Sequence, residues 1–375
     1  MINVLHVVSG NDNGGGAMHV LKICRCSENL IKSSICCIGR GWLYDEALKS
    51  GISAAVFSFK DAINGRIAKF INDGEYEIIN FHGAKCNFIY DMIFKKMIKP
   101  CVVTVHSDYR YDFLNSKFKQ AFFTPLSKKG LMKFKYYICA SDYIKNVLDK
   151  NNFEGNKFVA GNGIDIENYR FASVSGNIRS SLGIGENDFV YIMVARMHPV
   201  KNHSNLLKAF AKLAKEYNDV KLLLVGGGKL EGSLKEEAKS LGISKSTIFT
   251  GQRQDVFNFI NASSISILTS FSEGGAPPLV ILESAAAEKP IICSNVGDMP
   301  YIIKSDSGYL IEPYSIEDIY SKMKIAYLNK DKLNDMGRNL FKFVKENYSM
   351  DIFWNKYYKA YKEILSIYKS SNGDM

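Results

Sequence analysis

Two doubly wound, parallel α/β sheets are what this sequence predicts, and three observations predict them. Short apolar runs recur from end to end, among them NVLHVVS, EIINFHG, CVVTVH, FVYIMVAR, KLLLVGG and SISILTS. They lack the alternation of a strand with one wet face, so both faces of each strand are covered. Segments of helical periodicity, such as SNLLKAFAKLAKEY and LEGSLKEEAKSLG, lie between them. Strand, helix and strand in that order make parallel crossover units rather than hairpins. The rhythm breaks once, over polar residues 166–187 with their Gly, Asn and Ser, and 375 residues exceed one typical core. The expected division is therefore 1–167, 168–348 and a terminal amphipathic segment, 349–375, whose Trp354, Tyr357 and Tyr358 need cover.

Composition narrows the partners. Apolar residues make up 46% and charged residues 23% of the chain, which excludes a disordered protein. A formal charge of +10 points to anionic partners such as nucleotides or an acidic membrane surface. The eight cysteines contain no C-x-x-C pair and read as reduced thiols. MINVLHVVSG lacks a basic leader, and no apolar run reaches the roughly 18 residues a spanning helix needs. The expected location is the cytoplasm, at the inner face of a membrane.

Taken in order, the strand ends carry the candidate chemistry, because ligands of this fold class bind there. After the first strand comes SGNDNGGGAMHVL, whose glycines let backbone approach a phosphate or sugar. It is not a dinucleotide fingerprint, since His19 occupies the last glycine position. His106 ends the run CVVTVH and can hydrogen-bond a substrate hydroxyl or sit as a satisfied core residue. Residues 109–137 then mix lysines with aromatics, which suits a phospholipid surface better than nucleic acid, or simply a solvated helix. In the second half, Arg196 and Lys201 follow a buried strand, with Pro199 between them. A planar fork of donors beside a mobile point charge fits a diphosphate. LLLVGGGKLEG enters another glycine turn and is not a Walker loop. Finally, TSFSEGGAPPLVILESAAAEKP places Glu273 before, and Glu283 after, a loop of Gly274, Gly275 and Ala276. Pro277 and Pro278 hold the following helix off until Leu279. There is no D-x-D sequence and no cluster with metal-ligand spacing, so no metal is expected.

In their order and spacing these stretches resemble the retaining, nucleotide-sugar-dependent glycosyltransferases of family 4, also called glycosyl transferases group 1. The similarity covers nearly the whole chain and is strongest from Ala140 to Pro313. GNGIDIENY resembles the family's N-G-I/V-D turn, VARMHPVKNHSNLL its G-R-L-x-x-x-K-G region, and AEKPIICSNVGDMPYIIKSDSGYLIEP its closing strands. The resemblance implies the GT-B fold, two Rossmann-like domains with the active site in the cleft between them. It implies that Arg196 and Lys201 hold the donor diphosphate, Glu283 the ribose and Glu273 the sugar, with His106 near the anomeric region. Gly15, Gly16, Asn162, Gly227, Gly274, Gly275, Ala276 and Leu279 fall at donor-binding positions. It implies no cofactor, a UDP- or GDP-sugar as donor, and a glycan or lipid-linked acceptor on the first-domain side. The expected activity is metal-independent hexosyl transfer with retention, in surface polysaccharide biosynthesis. An epimerase or hydrolase of nucleotide sugars and a non-catalytic donor-binding subunit are the alternatives.

Three departures from the family pattern stand out. Nine residues separate Glu273 from Glu283 where the family has seven, so the gapless count lands on Gly275. Ser272-Glu273-Gly274 keeps the local motif, which a two-residue loop insertion explains. Met18 stands where an acidic residue is common, and the G-K-G pattern reads Val200-Lys201-Asn202.

Overall fold

The computed structural model describes residues 1–12, 14–26, 30–111, 117–171, 178–275 and 277–372. The chain divides into two units. One holds Met1–Gly163, Gly274–Ala276 and Asp351–Met375, and the other Ile164–Glu273 and Pro277–Met350. The second unit thus begins at Ile164, four residues before the position expected from sequence.

The first unit's strands are β1 (Ile2–Ser9), β2 (Ile31–Ile38), β3 (Ala54–Phe57), β4 (Ile78–His82), β5 (Cys101–Val105), β6 (Tyr136–Cys139) and β7 (Asn156–Val159). They form one sheet in the order β3-β2-β1-β4-β5-β6-β7, each neighbour parallel. The second unit's strands are β8 (Phe189–Val194), β9 (Val220–Val225), β10 (Thr247–Gly251), β11 (Ile265–Leu268), β12 (Ile291–Ser294) and β13 (Gly308–Ile311). Their order is β10-β9-β8-β11-β12-β13, again parallel throughout. Every residue of β4, β5, β6, β11 and β12 is buried, as unalternated apolar runs require. The direction of strand addition reverses between β1 and β4 and between β8 and β11. Each reversal point opens a crevice at the carboxyl ends of its own sheet's strands, where such sheets take ligands.

One expectation needs correcting. Residues 166–187 are not a plain linker, because Ile166–Phe171 and Ile178–Ser181 are helical. Ile164 and Ile166 are buried in the second core, and the Ile164 amide donates to the Tyr348 carbonyl at 2.8 Å. Apolar side chains at the start of a polar stretch outweigh its composition. After β1, Gly15 and Gly16 begin the helix Gly15–Cys24.

The terminal helix Met350–Asn372 belongs to the first unit from Asp351 onward. Phe353, Tyr357, Tyr361 and Ile364 are buried along one face, at the 3.6-residue period. The Trp354 indole donates to the Lys22 carbonyl at 2.8 Å, and Tyr357 and Tyr361 spend their hydroxyls on His19 and Asn80 at 2.7 Å. Each aromatic therefore buries its ring while satisfying its polar atom.

Candidate active site

In the second unit the reversal point carries the charge. Arg196 leaves β8 two residues beyond the strand and is exposed. Among the described residues, its guanidinium has no hydrogen-bond or ion-pair partner. Its backbone is fixed from the neighbouring loop. The Met197 amide donates to the Gly227 carbonyl at 2.9 Å, and Gly226 and Gly228 lie with φ of 139° and 158°. A Cβ on Gly226 would stand 2.1 Å from the Ala195 carbonyl oxygen, and one on Gly228 2.5 Å from that of Met197. Only glycine permits this approach of backbone to backbone. Gly227, the glycine singled out from the sequence, has no such constraint: its added Cβ would meet nothing nearer than 3.9 Å. The constrained positions are its two neighbours.

Lys201 ends a 3-10 turn, Pro199–Lys201, that His198 caps through Nδ1. The Phe271 amide donates to the Val200 carbonyl at 2.8 Å, and the Thr269 hydroxyl donates to the carbonyls of Lys201 and Asn202, each at 3.2 Å. Asn202 explains the departure from the family's glycine. It sits in the left-handed region at φ 58°, which asparagine tolerates better than most side chains. Its buried amide then ties the turn down by donating to the Thr269 and Pro313 carbonyls at 3.1 and 2.7 Å.

The Lys201 ammonium is not a free cation. It donates to both Glu273 oxygens, at 2.8 and 2.7 Å, with the two side chains 18% and 7% exposed. Glu273 thus holds Lys201 in place. Gly274 and Gly275 follow with φ of 65° and 113°, so the chain turns sharply where no side chain could. Ala276 lies outside the described residues. Leu279 opens the helix Leu279–Ala286, behind Pro278 at its cap. Glu283 is the fifth residue of that helix and sits mid-helix, not at its start. Tyr169 donates to its Oε1 at 2.7 Å, and burial with that carboxylate beside it pushes the Tyr169 phenol up.

The first unit's reversal point is built from neutral imidazoles. His106 follows β5 and lines a cavity of about 290 Å³ with Asp12, Gly16, Gly83, Ala84 and Tyr109. A Cβ on Gly16 would lie 3.8 Å from the His106 ring, whereas one on Gly15 would meet nothing. Burial holds His106 down to about 4, partly offset by the Asp12 carboxylate. His19 packs edge-on against His106, with ring centroids 4.8 Å apart. Its Nδ1 is 2.9 Å from Asn162 Oδ1 and its Nε2 accepts from Tyr357 at 2.7 Å. Asn162 therefore reaches the site's surroundings by fixing His19.

The sequence missed His6, His19, His82, Asp12, Tyr169 and Asn202. A signal existed for some of them. His6, His82 and His106 all lie on or after strands of one sheet, which a strand-end tally of histidines shows. Among the described residues, no group of three or more His, Cys, Asp or Glu could hold a metal ion. The eight cysteines are free, six of them buried, and burial raises the Cys293 thiol near Glu273.

Comparison with known proteins decides the family. Residues 13–168 match the model of Glycosyltransferase Family 4, and residues 174–343 that of Glycosyl transferases group 1. The chain belongs to glycosyltransferase family 4. It is a glycosyltransferase with the two-sheet GT-B fold. It is 28% identical over 284 residues to the UDP-Gal:alpha-D-GlcNAc-diphosphoundecaprenol alpha-1,3-galactosyltransferase of Escherichia coli, covering 72% of this chain and 71% of that one. It is 26% identical to the alpha-monoglucosyldiacylglycerol synthase of Streptococcus pneumoniae, over 66% of this chain and 58% of that one. Among solved structures, a Rickettsia africae glycosyltransferase superposes with a TM-score of 0.80 at 21% identity, covering 97% and 98% of the two chains. The Anabaena protein HepE in complex with UDP superposes at 0.82 and 16% identity, covering 96% and 100%.

Proposed function

We propose that this glycosyltransferase moves a hexose from a UDP- or GDP-sugar to a lipid-linked acceptor, without a resident metal and with retention. The observation that carries the reading is the charge arrangement after β8 and β11. Arg196, whose guanidinium has no partner among the described residues, follows β8, and five residues on comes Lys201, locked to Glu273. Charge develops on the diphosphate as the sugar leaves, and fixed cations there lower the barrier without reorganising. Arg196 supplies the two-pronged contact and Lys201 a point charge held in position. Glu283, tied to Tyr169, takes the ribose hydroxyls in this reading. The absence of a D-x-D sequence agrees with cations taking a metal's part. The α-linked products in the relatives' names favour retention.

Two relatives are named for lipid acceptors, and the first unit has a surface that suits one. A cavity of about 510 Å³ is lined by Phe59, Ala84, Lys85, Phe88, Phe123, Leu126 and Ser127. Ala84 also lines the polar cavity of His106, so an apolar chain and a polar head can occupy neighbouring spaces. The helix Lys117–Leu131 leaves Phe122, Phe123 and Leu126 exposed, with Lys128 and Lys129 in its last turn. Aromatic and basic side chains together favour an anionic lipid surface. Residues 112–116 of this stretch lie outside the described ones. No described helix is long and apolar enough to cross a membrane.

The test is a panel of radiolabelled UDP- and GDP-sugars, incubated with the protein and a bacterial lipid extract. Label entering the organic phase from one donor supports the proposal. Release of free sugar, or no turnover of any donor, contradicts it.

A further inference from the structure

Ser33, His6, His82 and His106 form an unbroken line whose two inner members, His6 and His82, are buried. The Ser33 hydroxyl is 3.3 Å from His6 Nε2, His6 Nδ1 is 3.0 Å from His82 Nε2, and His82 Nδ1 is 3.0 Å from His106 Nε2. His6 and His82 are 0% and 3% exposed, and neither touches the cavity that His106 lines. A neutral imidazole has one N–H and one lone pair. Because every contact joins Nδ1 of one ring to Nε2 of the next, the three rings cannot choose their tautomers separately. If one carries its proton on Nδ1, all do, and reversing one reverses all. Burial lowers His6 to about 3 and His82 well below its ordinary value, so neither ring escapes the constraint by taking a second proton near neutrality.

We infer that Ser33, His6 and His82 are positioning residues that hold His106 with its proton on Nδ1, as a hydrogen-bond donor into the cavity. The direction follows from the cavity end. His106 Nδ1 has no protein hydrogen-bond partner among the described residues, and the Asp12 carboxylate lies in the same cavity and attracts a donor there. With that end set, His82 Nδ1 donates to His106 Nε2 and His6 Nδ1 donates to His82 Nε2. The Ser33 hydroxyl closes the line by donating to His6 Nε2. A serine can donate or accept, so it follows the direction rather than dictating it. His106 is thereby presented as a donor to a sugar or acceptor oxygen and is denied the part of a base. Only the identity of that oxygen rests on the transferase reading; the tautomer does not.

The test is a long-range ¹H–¹⁵N correlation spectrum of the full chain, uniformly ¹⁵N-labelled, near neutral pH. The expected result is Nδ1 at a protonated shift and Nε2 at an unprotonated shift for His6, His82 and His106 alike. A proton on Nε2 of His106, or on both nitrogens, overturns the inference. In Asp12→Asn, which removes the charge that sets the direction, the ring nitrogens of all three histidines should move together. A change confined to His106 in a folded variant overturns the coupling. Should the variant not fold, the wild-type spectrum tests the assignment by itself. Failure here and failure of the donor panel are separate results, since the spectrum needs no ligand.

Discussion

The two reversal points have the same architecture and opposite chemistry. After β8 and β11 the second unit places Arg196 and the Lys201–Glu273 pair, charges held by backbone hydrogen bonds from neighbouring loops. On and after β1, β4 and β5 the first unit places His6 and His82, which are buried, and the half-buried His106, rings whose protons are fixed by one another. The same strand order thus carries fixed charges in one sheet and neutral imidazoles in the other. The strand order supplies the crevice in both, and the residue just past each strand end supplies the chemistry.

Changes at the charged point should have the larger effects. Arg196→Ala should lower turnover by about 10²–10³-fold, the scale of removing one preorganised charge-stabilising donor. Its urea unfolding midpoint should not move, because the side chain has no partner among the described residues. Near-wild-type turnover would remove Arg196 from the diphosphate. Lys201→Met should cost roughly 3 kcal/mol of stability, since it leaves the largely buried Glu273 carboxylate without its partner. Lys201→Met with Glu273→Gln should recover most of that loss in denaturant unfolding, while turnover stays low. Equal stability of the single and double variants would show that the pair does not hold the loop. Gly226→Ala should cost about 2 kcal/mol, because a Cβ 2.1 Å from the Ala195 carbonyl must push two backbones apart.

The neutral point should show itself through pH. Burial lowers His6 to about 3 and His106 to about 4, with His19 and His82 also well below their ordinary value. Unfolding frees these rings to take protons near 6.5, so between that value and about 4 the unfolded chain binds more protons than the folded one. Stability contributed by the neutral rings is therefore complete above pH 6.5 and falls as the pH drops. The second unit has His203, lowered to about 4, as its corresponding buried ring among the described residues. Amide hydrogen exchange, corrected for its intrinsic pH dependence, should rise in β1, β4 and β5 before β8 and β11 on acidification. The reverse order would contradict the contrast between the units.

How much was legible in the sequence follows from this contrast. The sheets and the second unit's charges could be read, because buried parallel strands leave unalternated runs and Arg196 and Lys201 lie close together in the chain. Asn202 was legible only as an anomaly, until its positive φ showed what the family's glycine is for. The start of the helix that carries Glu283 was legible too, because Pro277 and Pro278 hold it off until Leu279. The histidine line was not legible. Its members come from three strands 24 to 76 residues apart, and only strand order makes them neighbours. The short helix at Ile166–Phe171 was hidden by its polar neighbours, since two isoleucines decide its burial.

The central claim is that the second unit's reversal point holds the donor's diphosphate. Amide hydrogen exchange of the full chain with saturating UDP, and separately with GDP, tests it most directly. One of them should slow exchange in residues 195–203 and 269–283, and Arg196→Ala should abolish the protection at the same concentration. Protection by neither nucleotide in those segments, or protection that survives the loss of Arg196, would contradict it.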